Sequence, residues 1–320
     1  MKILYYFVLS VWYLLSLLPM KVHYFISDVM FWLLYRLIGY RKQVIRNNLQ
    51  TSFPEKSEEE LRKIERGFYH FFCDYLVESV KLMTISRQNL KRRIVFKGIE
   101  LVNLCIEEGQ SCAIYLGHYC NWEWVTSMPL WVTSKAQCGQ IYHPIENQAF
   151  DRLFLHVRQR LNALCIPMQD TLREIIEFRK AGQPIVIGYI SDQKPHWVNI
   201  HHWVDFLNHD TPVLTGTERI VRKMNHAVFY LDIQRIRRGY YEAELKLITR
   251  NPREIENEYG ITDIYYRMLE QSINRAPEFW LWSHDRWART REEFNERFEV
   301  INGKVIPKDT PINRECGLVK

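Results

Sequence analysis

A chain of 320 residues, 47% hydrophobic and 14% aromatic, is long enough for one large core or a core with a small appendage. Its net charge of +6 is mildly basic and diffuse, with aromatics beside acids as often as beside bases. That pattern argues against a nucleic-acid partner and fits an anionic membrane surface better. The seven cysteines are scattered, odd in number and without a Cys-x-x-Cys pair, which predicts reduced, buried thiols and no disulfide framework.

The chain begins with an apolar, aromatic-rich stretch from Ile3 to Leu18 that carries no charge. Pro19-Met20-Lys21 punctuates it, and a second apolar stretch, Val22 to Ile38, contains Asp28 and Arg36. The first run is a little short of the roughly 20 residues that span a bilayer. Its flank, Leu18-Pro19-Met20-Lys21, has no small-x-small cleavage site, so the run reads as an anchor and not as a signal peptide. Lys21, Arg36, Arg41, Lys42 and Arg46 follow it, against Lys2 and the α-amino group before it. The positive-inside tendency then predicts that the body of the protein faces the cytoplasm. Residues 1–40 are expected to form a membrane anchor whose second run is a membrane-facing helix, 41–301 an α/β domain, and 302–320 a loose tail.

Ser57-Glu58-Glu59-Glu60 makes a capping box, and the helix it opens carries Leu61, Ile64, Phe68, Phe71 and Phe72 at helical spacing. Further on, Cys112 to Leu116 reads as a buried strand, after which Gly117 allows a sharp turn. Asn121 can cap a helix starting at about Trp122, with Glu123 in its first turn. The spacing from His118 to Glu123 is His-x4-Glu. On one continuous helix the two side chains would point about 140° apart. A strand-loop-helix corner can instead fold them together, and an imidazole beside a carboxylate is what a general base needs. The plainer alternative is a His118 that bonds a loop and a Glu123 that only caps a helix.

Ile141 to Pro144 looks like a second strand end. A helix with Phe150, Leu153, Phe154, Val157 and Leu161 on one face follows, and Arg158 and Arg160 lie near its end. Asp170 can cap the next helix. Ile185 to Ile190 is a third apolar strand with Ser191-Asp192-Gln193 at its C-terminal end, where open α/β sheets place their sites. His196, His201, His202 and His209 fit no common zinc spacing and have no cysteine nearby, so the segment reads as a lipid- or phosphate-facing loop. A helix from Thr215 to Met224, a strand from Ala227 to Ile233, an edge strand from Tyr240 to Ile248 and a helix from Ile261 to Asn274 complete the body. Trp280, Trp282 and Trp287 beside Arg286 and Arg289 suit a headgroup-level belt. Helices alternating with strands imply an α/β domain with a mixed central sheet.

Gly117-His118-Tyr119-Cys120-Asn121-Trp122-Glu123 resembles the signature of the late acyltransferases of lipid A biosynthesis. That family lies within the wider His-x4-Asp/Glu acyltransferases, which include the glycerophosphate acyltransferases. The resemblance runs from about Arg41 to Arg289. It takes in the Arg-Lys and Arg-Asn pairs before Phe53-Pro54, Asp192-Gln193, and the closing Trp282-Ser283-His284-Asp285-Arg286. Asn162 and Asn208 stand where the family has glycine.

The resemblance implies a glycerophosphate-acyltransferase-like fold at the bacterial inner membrane, with its catalytic domain facing the cytoplasm. The implied reaction moves a fatty acyl group from an acyl carrier protein thioester to a hydroxyl of a lipid A precursor, with no metal or other cofactor. His118 would be the base and Glu123 its orienting partner. Arg158 would be a clamp near the thioester or a lipid A phosphate, and Asp192, Gln193 and Asn121 would shape the substrate site. Rival readings are an acyltransferase for a lysophospholipid or a hydroxyacyl amino-acid lipid, a metal-dependent hydrolase using the histidine-rich loop, and a non-catalytic lipid binder.

Overall fold

The computed structural model describes residues 2–308 together with 312–313 and 318–319. Two helices open the chain, α1 (Lys2–Leu17) and α2 (Met20–Phe31), and α2 continues as a π-helical stretch, Trp32–Ile38. Pro19, extended at the start of α2, turns the chain so that the two apolar segments are bent by 113°. Among the described residues no single helix is long and apolar enough to cross a membrane, although the bent pair is by length and composition together. The α2 helix is polar inward and apolar outward. His23 and Ser27 are buried, while Val22, Phe25 and Val29 are exposed.

The buried face of α2 lies on α4 (Glu58–Lys81), which follows α3 (Lys42–Ser52). The expected capping box is present: Ser57 Oγ accepts from the Glu60 N–H, and the Glu60 carboxylate accepts from the Ser57 N–H at 2.8 Å. Ser27 donates to Asp74 at 2.6 Å, and Arg235 and Arg238 bond the same carboxylate.

Next come α5 (Arg87–Arg93), β1 (Ile94–Lys97), α6 (Ile99–Glu107) and β2 (Cys112–Leu116). A 3-10 helix, Trp122–Leu130, leads to β3 (Gln137–Tyr142), α7 (Gln148–Gln159), β4 (Leu164–Pro167), α8 (Thr171–Lys180) and β5 (Ile185–Ile190). A hairpin of β6 (Ile200–Phe206) and β7 (His209–Leu214) precedes α9 (Gly216–Met224), β8 (Ala227–Arg237), β9 (Tyr240–Thr249) and α10 (Gly260–Arg275). Then come α11 (Arg291–Arg297), a second hairpin, β10 (Phe298–Ile301) with β11 (Lys304–Pro307), and a short antiparallel pair, β12 (Ile312–Asn313) with β13 (Leu318–Val319).

Seven strands form one mixed sheet in the order β1-β9-β8-β2-β5-β3-β4. Neighbours run parallel except β8 and β9. The expected α/β fold with a mixed sheet flanked by helices is therefore observed. Its central strands are buried along their length: all of β2 and most of β5 and β8 lie inside the main core, as continuous apolar runs in a two-sided parallel sheet should.

Four readings of the sequence are corrected. The Tyr240 strand is not an edge, because β1 pairs along it from Ile94↔Tyr241 to Lys97↔Glu244. The histidine-rich loop is the β6–β7 hairpin, turned by Leu207 and Asn208, both at positive φ. Asn208 and Asn162 both adopt left-handed geometry, as asparagine can. The folded body continues past residue 301, since Asn302-Gly303 turns the β10–β11 hairpin; most of the expected tail beyond it lies outside the described residues. Trp280, Trp282 and Arg286 are core residues, each no more than 2% exposed, and not an interfacial belt. The six described cysteines are free, five of them buried.

Candidate active site

The site lies at the C-terminal ends of β2 and β5, which are adjacent and parallel with Leu116 opposite Ile190. Two residues further along each strand stand His118 and Asp192, so the register alone brings them side by side. The His118 ring meets Asp192 through Nδ1 to Oδ1 at 2.6 Å, and the His118 backbone N–H donates to Asp192 Oδ2 at 2.8 Å. Gly117 is required for this approach and not for its turn: a Cβ there would lie 3.2 Å from Asp192 Oδ2 and 2.7 Å from Leu269 Cδ1.

Asp192 is 2% exposed. Burial would raise its pKa, but the adjacent His118 ring, the Trp280 indole and the His118 N–H together outweigh burial and hold it at about 2. An ionised carboxylate only accepts, so Nδ1 carries the ring proton and donates it to Asp192. Nε2 is left with its lone pair facing Gln193, whose amide nitrogen lies 3.3 Å away.

Glu123 does not take the place expected of it. Its carboxylate is bonded to Arg158, whose Nε donates to Oε2 at 2.9 Å and whose Nη2 bonds Oε1. The reason is local. The 3-10 helix begins right at the corner, and it sends Glu123 towards α7 while the neighbouring strand supplies the carboxylate for His118. Burial would lower the Arg158 pKa; the Glu123 charge beside it more than offsets this, so the guanidinium is firmly cationic.

Asn121 is also not where substrate could reach it. It is fully buried, its Oδ1 accepting from the Trp124 N–H at 3.0 Å and its Nδ2 donating to Glu78 at 2.6 Å. It caps the 3-10 helix, as the sequence indicates.

His118, Glu123, Arg158 and Gln193 all line one cavity of about 550 Å³, whose wall elsewhere mixes apolar residues such as Ile190, Met168 and Leu214 with polar ones such as His143, Lys194 and His196. A partly polar cavity with a few convergent polar groups is what a largely apolar ligand requires. A second cleft, of about 510 Å³, lies at the opposite ends of the strands around His226 and contains none of these residues.

Trp280 was missed as a site residue. Its indole N–H donates to Asp192 Oδ2 at 2.8 Å, so the carboxylate is held from two sides. The segment that carries Trp280 is tied to the site loop, with the Leu281 N–H on the His118 carbonyl at 3.1 Å and the Cys120 N–H on the Phe279 carbonyl at 2.9 Å. Arg41, from the Arg-Lys pair, and Asn48, just after the Arg-Asn pair, brace this segment through the carbonyls of Ser283, Trp282 and His284.

Arg160 is structural, donating to the carbonyls of Leu82 and Ile85. The histidines of the hairpin are dispersed: His202 bonds Asp263 and His209 stacks on Trp287. Among the described residues no group of three or more His, Cys, Asp or Glu side chains is placed to hold an ion.

An imidazole fixed by a buried carboxylate, opening onto a partly apolar cavity beside a guanidinium, is an arrangement that can take up a proton from a bound group. The chain matches the family described as bacterial lipid A biosynthesis acyltransferase over residues 1–289, and it belongs to that family. It is therefore an acyltransferase, of a family named for lipid A biosynthesis. A search of curated proteins gave no match.

Proposed function

We propose that the protein transfers a fatty acyl group from the thioester of an acyl carrier protein to a hydroxyl of a lipid A precursor at the bacterial inner membrane. The observation that carries this reading is the His118 ring, held by Asp192 on one nitrogen and open to the cavity on the other. The acceptor hydroxyl displaces the Gln193 amide from Nε2. As its oxygen attacks the thioester carbonyl carbon, its proton passes to Nε2, and Asp192 stabilises the imidazolium. The tetrahedral intermediate collapses with cleavage of the carbon–sulfur bond, and the departing sulfur takes the proton from His118. Arg158, aimed by Glu123, faces the negative charge that develops on the carbonyl oxygen or a phosphate of the acceptor.

The experiment is transfer from acyl carrier protein to a panel of acceptors, read by lipid mass spectrometry. Acylation of a lipid A precursor is expected. Acylation of a lysophospholipid or an amino-acid lipid instead would keep the chemistry and replace the acceptor.

The Arg158 role has its own test. Arg158→Ala should lower transfer by about 10²-fold, and Lys should fail to rescue it because a point charge does not reproduce the two-point bond to Glu123. Removing Arg158 also leaves Glu123 buried without its partner, which destabilises by about 3–5 kcal/mol. The pair Glu123→Gln with Arg158→Met should therefore recover the melting temperature but not the activity. Recovery of both would reduce the ion pair to a structural role.

The membrane contact is carried by the outward faces of α1 and α2. Phe7, Leu14, Phe25 and Trp32 are exposed there, on helices whose buried faces are fixed to the catalytic body. So much contiguous apolar surface is unusual on a soluble monomer. The bent pair dips its apolar side into the cytoplasmic leaflet, next to the site: α1 packs on α7, the helix of Arg158, with Trp12 edge-on to Phe154 at 5.7 Å. Phe25→Glu with Trp32→Glu should release the protein from anionic vesicles; unaltered vesicle binding would refute this seating.

A further inference from the structure

Glu78 is a fully buried carboxylate on α4 that takes no direct part in the chemistry above. Three neutral donors converge on it. The Tyr24 hydroxyl of α2 reaches Oε1 at 2.9 Å, while the Asn121 amide and the Tyr241 hydroxyl reach Oε2 at 2.6 and 2.8 Å. Its own backbone carbonyl accepts from the Trp124 indole at 3.1 Å. The nearby cations are engaged elsewhere, with Arg235 and Arg238 bonded to Asp74. Burial holds the Glu78 pKa above the ordinary carboxylate value, and its donors, Tyr241 foremost, offset part of that rise.

A buried carboxylate with no directly bonded cation is expensive, and an apolar or amide side chain would fill the same space at less cost. What the carboxylate does that an amide does not is accept hydrogen bonds without donating any. It therefore permits one orientation of the Asn121 amide, with the NH2 group toward Glu78 and the carbonyl toward the Trp124 N–H. That second bond closes the first turn of the 3-10 helix, the turn that carries Glu123. Tyr75, one turn before Glu78 on α4, stacks on Trp122 at 4.1 Å and supports the same corner.

We infer that Glu78 is a positioning residue for acyl transfer, which locks the Asn121 amide and so fixes the corner from which Glu123 holds Arg158 in the cavity. The inference rests on the acyl-transfer reading given above. Because Glu78 acts through Asn121 and Glu123, its removal changes the placement of a catalytic charge and not the binding of the donor.

The test is Glu78→Gln, which keeps size and packing but allows the Asn121 amide either orientation. With folding checked by thermal melts, kcat should fall on the order of 10-fold while KM for the acyl thioester is unchanged. In a Glu123→Gln background the same substitution should change kcat by less than about twofold, since two members of one chain of contacts are not additive. A folded Glu78→Gln enzyme with unchanged kcat, or an equal loss in both backgrounds, overturns the inference. If Glu78→Gln does not fold, Tyr241→Phe decides. It removes one donor from Oε2 and should lower kcat about threefold, the equivalent of one net hydrogen bond, and an unchanged kcat would again overturn the inference. Wild-type enzyme in the same assay separates the two layers. Absence of transfer to every acceptor defeats the acyl-transfer reading, whereas wild-type transfer with an unaffected Glu78→Gln defeats only the role of Glu78.

Discussion

Asp192→Asn is expected to lower acyl transfer by about 10²–10⁴-fold while the protein stays folded. The amide is nearly isosteric with the carboxylate, but it brings a donor to a place where only acceptors fit. Oδ1 faces the Nδ1 proton of His118, and Oδ2 accepts from both the His118 N–H and the Trp280 indole. To satisfy the two donors on the Oδ2 side, Asn would turn its NH2 toward Nδ1. The ring proton then moves to Nε2, the nitrogen that has to be free for the acceptor hydroxyl. The carboxylate charge that stabilises the imidazolium is lost as well.

The same substitution has a second signature, in stability. The folded-state pKa of Asp192, about 2, lies below the ordinary carboxylate value. The stability this group contributes is therefore fully present above about pH 4 and is lost as the pH falls toward 2, for a total of roughly 2 kcal/mol. An acid titration of Asp192→Asn should lack that component. An Asp192→Asn enzyme with wild-type rate and wild-type acid sensitivity would remove Asp192 from the account.

Part of this site is legible in the sequence alone. The candidate base, His118, and the corner around it are legible, because the glycine, the histidine and the capping Asn121 follow one another directly after an apolar strand. Asp192 was legible as a site residue from its position at the end of the apolar run Ile185–Ile190. Its partnership with His118 was not, because nothing in the sequence says that β2 and β5 are neighbours or that Leu116 sits opposite Ile190. Proximity in sequence favoured Glu123 as the partner, and the tight 3-10 turn after Asn121 overrode it. Trp280 and Arg286 belong to a segment rich in aromatic and basic residues, whose composition suits a membrane interface as well as a core. Its long-range partners bury it: the His118 loop beside Trp280, and Pro212 and Tyr266 beside Arg286. The β6–β7 hairpin was hidden by its polar composition, with four histidines in and around strands that alternate poorly. Glu78 was hidden by its helix, where a single carboxylate among aromatic residues reads as an ordinary exposed face.

His118→Ala is expected to have the largest effect of any single substitution, because it removes the imidazole in the cavity that a buried carboxylate, Asp192, holds ready to take the proton of the acceptor. A lipid hydroxyl is far too weak an acid to attack a thioester at neutral pH unless its proton leaves as the new bond forms. The polar groups next to it offer no replacement. Glu123 is occupied by Arg158, Asp192 is buried behind the ring, and Gln193 is not a base. Since His118 and Asp192 act as a unit, His118→Ala combined with Asp192→Asn should be little worse than His118→Ala alone.

The most direct test of the acyl-transfer mechanism is a single-turnover measurement with purified enzyme, acyl-loaded carrier protein and a lipid A precursor. Wild type should convert the precursor to a species one acyl chain heavier, and folded His118→Ala should do so at least about 10²-fold more slowly. Transfer by folded His118→Ala at a rate close to that of wild type would contradict the mechanism.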